Sequence, residues 1–252
     1  MHAQFLGSNN QAAAGTEGEE DQQTYRPADE DFPLGEDVYS LIFIAPVCSA
    51  SFWYALCTVF IKILLYSFLA LDLWSQSGGR FDQGNTLIRA TQFFLLPVAV
   101  ALQEDLIHVY TRIANIRYDK RILQTSPAAT ELKFAMSFLL RFCDGLYSLI
   151  INFVLLLITD DVLSLFLNFA ALGFLQSIDD VAFHLAKHGY LGDRMEDNCV
   201  TVLESSLPRR VGDCFTNSLD TILFVATYAV MVLIFGYVTV LQNRDQTDDD
   251  IF

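Results

Sequence analysis

From Leu41 to Leu71 the chain runs for 31 residues with a single charge, Lys62. A helix rises about 1.5 Å per residue, so this run is longer than the roughly 30 Å hydrocarbon core of a bilayer requires. Pro46 interrupts it and separates an interfacial lead-in from a span at about 50–72. Four further segments share its character, at about 87–110, 134–158, 162–185 and 221–241, and the last carries no charge. Thr159, Asp160 and Asp161 leave room only for a tight turn, so the third and fourth segments should form an antiparallel helical hairpin. The expectation is an all-α polytopic transmembrane bundle of about five spans over residues 38–241.

Composition agrees. Hydrophobic residues make up 53% and charged residues 18%, against about 45–50% and about 25% in soluble domains. A soluble helical core protein would need far more polar surface to coat five such segments. The net charge of −15 sits mostly in the tails: residues 1–39 hold nine acids and Arg26, and residues 242–252 hold four acids and Arg244. Residues 1–37 read as a disordered acidic tail, too poor in apolar surface to order themselves, and 242–252 as a second acidic tail. The acidity excludes a nucleic-acid partner, which needs a basic face. The lipid bilayer is the expected partner, with a homo-oligomer or a larger membrane complex left open.

Lysine and arginine set the orientation. With five spans, ten bases fall on the N-terminal side, including those of loop 111–133, and three (Arg80, Arg89, Arg244) on the other. The N-terminus is therefore expected on the cytoplasmic side, and Cys199 and Cys214 in a reducing compartment. Met195, Val202 and Leu203 make an amphipathic patch suited to the membrane surface, and Gly78-Gly79 is a turn.

The informative residues are the polar ones inside the spans. Tyr54, Thr58, Lys62 and Tyr66 follow at steps of four; Ser137, Arg141, Asp144, Ser148 and Asn152 follow at steps of three and four. Asn168, Gln176, Asp180, His184 and His188 share a stripe, as do Pro97, Ala101, Glu104 and His108. Such spacing stacks side chains on one helix face, and the economical packing turns four polar stripes towards one another. Alternating direction puts Lys62 and Asp144 near the midplane, with Arg141, Glu104 and Asp180 roughly 7–12 Å away by the helical rise. The depths suggest Lys62 paired with Asp144, and Arg141 with Glu104 or Asp180.

Three uses of this seam are open. Ion pairs and amide bonds can lock helices in register. Carboxylates and imidazoles can relay protons or cations, with Glu104, Asp180 and His184 titrating in the field of Lys62 or Arg141. Asp105 with His108, and Asp180 with His184, have spacings found in bundle metal sites, although Asp105 faces about 100° away from Glu104. No phosphate-binding glycine loop, nucleophile elbow or HExxH motif is present, so neither an enzymatic activity nor a cofactor is expected.

Two stretches, QFFLLPVAVALQEDLI at 92–107 and LFLNFAALGFLQSIDDVAFHLAKHGYLG at 165–192, resemble a large set of uncharacterised multi-span proteins of diatoms and other stramenopiles. The resemblance implies a membrane protein and no activity, and marks Asn168, Asp179, Asp180, Phe183, Gly189 and Gly192 as parts of a pattern. The functional expectation is a proton or cation channel or transporter that uses the seam between the first four spans. The alternative is a structural or accessory subunit of a membrane complex.

Overall fold

A computed structural model describes residues 31–77, 86–159, 161–210 and 218–249. Most of residues 1–37, the turn at Gly78-Gly79 and Cys214 lie outside them. A two-residue strand β1 (Phe32–Pro33) leads into α1 (Val38–Ile44) and α2 (Ala50–Ser77). Then come α3 (Thr86–Ala101), α4 (Glu104–Asn115), the single turn α5 (Ile122–Thr125) and α6 (Glu131–Ile158). The chain continues through α7 (Val162–Gln176), α8 (Ile178–Lys187), α9 (Asp193–Glu204) and β2 (Ser206–Leu207). It closes with α10 (Leu219–Asp249).

Among the described residues four units are long and apolar enough to cross a membrane: Ala50–Asp72, Glu131–Ile158, Val162–Lys187 and Leu219–Leu241. Helices α3 and α4 pass the same test only as a pair, bent by 51° at their junction, as a broken span or a re-entrant loop is. That pair runs the length of α6. Gln92 Nε2 donates to the Thr159 carbonyl at one end of α6 (3.2 Å), and Asn152 Nδ2 to the Ala99 carbonyl further along (3.3 Å). Arg141 Nε donates to Asp105 Oδ1 near the middle (3.0 Å). Helix α10 lies antiparallel to the same pair: the Phe93 and Phe235 rings are 6.2 Å apart, and the Tyr110 and Thr227 hydroxyls 2.7 Å apart. The fold is that of a multi-pass membrane bundle. Exposed Phe60, Phe68, Phe94, Phe166, Leu233 and Tyr237 form its apolar exterior.

The hairpin forms as its sequence suggests. Asp161 caps α7 by accepting the Leu163 and Ser164 amides at 2.8 and 3.1 Å, satisfying donors that a helix start leaves orphaned.

Several expectations are corrected. Residues 41–44 are not an interfacial lead-in: every residue of α1 is buried, and the helix is wedged against α2, α6, α8 and α9. So short a buried helix must have its ends satisfied by neighbours. The Asp37 carboxylate accepts the Ser40 amide (2.7 Å), Ser126 Oγ donates to the Ile44 carbonyl (2.9 Å), and Lys133 Nζ donates to that of Ala45. Residues 31–37 belong to the fold rather than to the tail: β1 pairs with β2 and Leu34 is buried. The face of α9 that carries Met195, Cys199 and Val202 packs into the protein core instead of lying on the membrane surface. The last span ends at Leu241 as expected, although its helix runs on to Asp249.

Candidate functional site

Two spans are interrupted at the same place in the bundle. Between α3 and α4 the Gln103 amide bonds the Val100 carbonyl, so the Ala99 carbonyl loses its ordinary helical partner. The Asn152 and Gln103 side-chain amides take its place, both at 3.3 Å. The second interruption falls at Ser177, between α7 and α8. Gln176 Nε2 joins the breaks by donating to Gln103 Oε1 (2.8 Å) and to Ser148 Oγ on α6 (2.9 Å). Each break starts a new helix with acids in its first turn, Glu104 and Asp105 on α4 and Asp179 and Asp180 on α8. There they meet the positive end of the helix dipole.

One acid of each pair turns inward, onto Lys62. The Lys62 Nζ is fully buried and lies 2.7 Å from Asp105 Oδ2, 2.8 Å from Asp144 Oδ2 and 2.8 Å from Asp179 Oδ1. An ammonium has three donors, and here each has a carboxylate. Tyr39, on α1, donates its hydroxyl to Asp144 Oδ2 at 2.7 Å. Burial and the surrounding Asp105, Asp144 and Asp179 carboxylates push this phenol well above its usual range, so it stays a donor.

Arg141 extends the network. Its Nε lies 3.0 Å from Asp105 Oδ1, its Nη2 is 2.9 Å from Asp37 Oδ2, and its guanidinium stacks 5.1 Å from the Tyr39 ring centre. Arg112 Nη2 reaches the same Asp37 oxygen at 3.3 Å. Burial would raise the Asp37 carboxyl, but Arg141, Arg112 and the Ser40 N–H outweigh it and hold the group well below the usual carboxylate range. Four carboxylates (Asp37, Asp105, Asp144, Asp179) thus face three cations (Lys62, Arg112, Arg141). Among the described residues, buried Asp144 Oδ1 and Arg141 Nη1 find no hydrogen-bond partner. A cavity of about 400 Å³, lined among others by Gly35, Glu36, His108 and Arg112, opens at the Arg112 end of this chain of charges.

Gly145 permits the close approach of α4 and α6. A Cβ there would stand 2.8 Å from the Leu106 amide nitrogen and 3.1 Å from its Cα.

The pairing of Lys62 with Asp144 is as the stripes suggest, and Ser137, Arg141, Asp144, Ser148 and Asn152 all face inward. Arg141 pairs with Asp37 and Asp105, not with Glu104 or Asp180. Glu104 is exposed and 3.8 Å from half-exposed His108. Asp180 is half-buried, and exposed His184 stacks on His188. Asn168 Nδ2 bonds Thr159 Oγ1 (3.1 Å) near the hairpin, away from the cluster. Pro97 and Ala101 face outward while Gln92, Leu96, Ala99 and Gln103 face inward, so the second stripe lies on the wrong face. The metal candidates Asp105, His108, Asp180 and His184 do not converge, and among the described residues no three such groups are placed to share a metal.

Comparison with protein-family models, curated proteins and solved structures finds no match to this chain. Fold and site together define a class, a multi-pass integral membrane protein with a charged network at the breaks of two spans.

Proposed function

We propose that this chain is a membrane transport protein that carries a proton or a small cation, with the Asp105, Asp144 and Asp179 carboxylates around Lys62 as its binding site. The charge count carries the reading: four buried carboxylates against three cations, with Asp144 Oδ1 unpartnered. One added positive charge makes the set neutral, so a proton or small cation is drawn to it electrostatically. Ionisable groups at this depth are expensive and usually mark an ion or proton route. Interrupted spans beside such groups are the arrangement in which transporters place their ion sites. The cavity lined by Arg112 and His108 is the entry that this reading assigns. This reading needs no catalytic residue and no cofactor.

Reconstitution tests it. Proteoliposomes holding a potassium diffusion potential should acidify through the native chain, or take up sodium. Asp144→Asn, which supplies the missing charge balance permanently, should reduce flux to the empty-vesicle level while thermal unfolding in detergent stays close to native. No flux of protons, sodium or potassium through the native chain would overturn the reading.

A second reading is favoured by Lys62 itself, which exposes nothing and spends all three donors on carboxylates. Such an ion set can serve only to lock helices, in an accessory subunit of a membrane complex or a homo-oligomer. It entails no flux, and co-isolation with other membrane proteins.

A further inference from the structure

At one end of the bundle two basic segments are zipped together. Ile116 and Arg209 form an antiparallel bridge, the Arg117 amide donates to the Pro208 carbonyl (3.3 Å), and the Arg210 amide to that of Asn115 (2.6 Å). The pairing gathers Arg117, Lys120, Arg209 and Arg210 around one concavity of about 1,160 Å³. None of the four has an ion-pair partner among the described residues. Among the described residues the acids lining it are Glu131 and Asp119, and Asp119 is already engaged by Arg121 at 3.4 Å. The concavity is therefore positive in a chain whose net charge is −15.

Its depth identifies the ligand chemistry. Glu131 opens α6 and stands thirteen residues before Asp144, which is about 20 Å along the helix. The hydrocarbon half-thickness is about 15 Å, so with Asp144 at the midplane the bases lie in the headgroup layer. Guanidinium forks match phosphate oxygens in pairs, and basic pockets between spans at this level suit anionic headgroups.

We infer that this concavity binds a phosphate-bearing anionic group, supplied by a lipid headgroup or by a soluble phosphate ester. The purified full-length protein in neutral detergent is titrated with dioctanoyl phosphatidic acid, with dioctanoyl phosphatidylcholine and with glycerol phosphate. Phosphatidic acid should bind, and the zwitterionic lipid should not compete. The double variant Arg209→Gln/Arg210→Gln should weaken binding about twenty-five-fold, two charges at about five-fold each. Arg89→Gln, at the other end of the α3–α4 pair, should leave it within two-fold of native. Affinity for phosphatidic acid well above that for glycerol phosphate assigns the lipid as the source; equal affinity assigns a soluble ester. Native binding should also fall steeply with salt, a readout that needs no variant. Equal binding of the zwitterionic lipid, insensitivity to salt, or an unchanged double variant would overturn the inference.

Discussion

Asp37 is the residue whose surroundings oppose one another most. Burial disfavours its charged form, while two guanidiniums and a backbone N–H favour it and prevail. Its folded pKa is thus depressed, so the carboxylate stabilises the fold above the ordinary aspartate value of about 3.9. That contribution is lost as pH falls below this value towards the folded one. Asp37→Asn should cost about 3 kcal/mol at pH 7, the scale for breaking a buried pair. The gap to the native chain should narrow below about pH 4, and detergent thermal unfolding at pH 7 and at pH 3 reads both effects; a gap that widened in acid would contradict it. Lys62 with Asp144 was legible because each sits mid-span on a polar stripe. Asp37 was not, because nine acids upstream of Tyr39 read as one solvated tail. The available signal was an aspartate directly before the apolar run VYSLIFI, a helix N-cap pattern.

Among the elements, the α4–α6 contact tolerates the least change, because what faces Gly145 is backbone rather than a side chain that can swing away. Gly145→Ala must push the two helices apart beside the Arg141–Asp105 bond, at about 1–3 kcal/mol, the range for overpacking. A methyl group at Gly236 on α10 would meet nothing within 4 Å, so Gly236→Ala should be neutral or gain up to about 1 kcal/mol from helix propensity. Unfolding both variants in one detergent checks the contrast, and equal losses would sink it. The break after Ala101 explains why Asp105 was not legible. An unbroken helix carries Pro97, Ala101, Glu104 and His108 on one face; a 51° bend after Ala101 resets the phase and exchanges Glu104 for Asp105. Asp179 needs no such reset: Leu172, Asp179, Phe183 and Ala186 are buried at helical steps straight through Ser177, on a face beside the stripe drawn through Asn168 and Asp180. A shared signal was present, since LQED at 102–105 and LQSIDD at 175–180 each place a glutamine and paired acids within otherwise apolar spans.

For the whole molecule, the number of crossings turns on α3 and α4. A re-entrant loop would dip in and return to its own side, leaving four crossings and both termini on one face. The contacts argue otherwise, since Gln92 meets the end of α6 at Thr159 while Asp105 meets its middle at Arg141. Asn115, beyond that point, is bonded to Arg210, close before the start of α10 at Leu219. Phe93 meets Phe235 and Tyr110 meets Thr227, so the pair descends as α10 ascends. These contacts predict that the pair is one broken span, which makes five crossings among the described residues and puts the two termini on opposite faces. The excess of bases on the N-terminal side predicts that this side faces the cytoplasm. Epitope tags at each end, probed with protease on sealed inside-out vesicles, should show the N-terminal tag cut and the C-terminal tag protected until detergent is added. Both tags cut together would restore the re-entrant alternative, and the reverse pattern would keep five spans but invert the molecule.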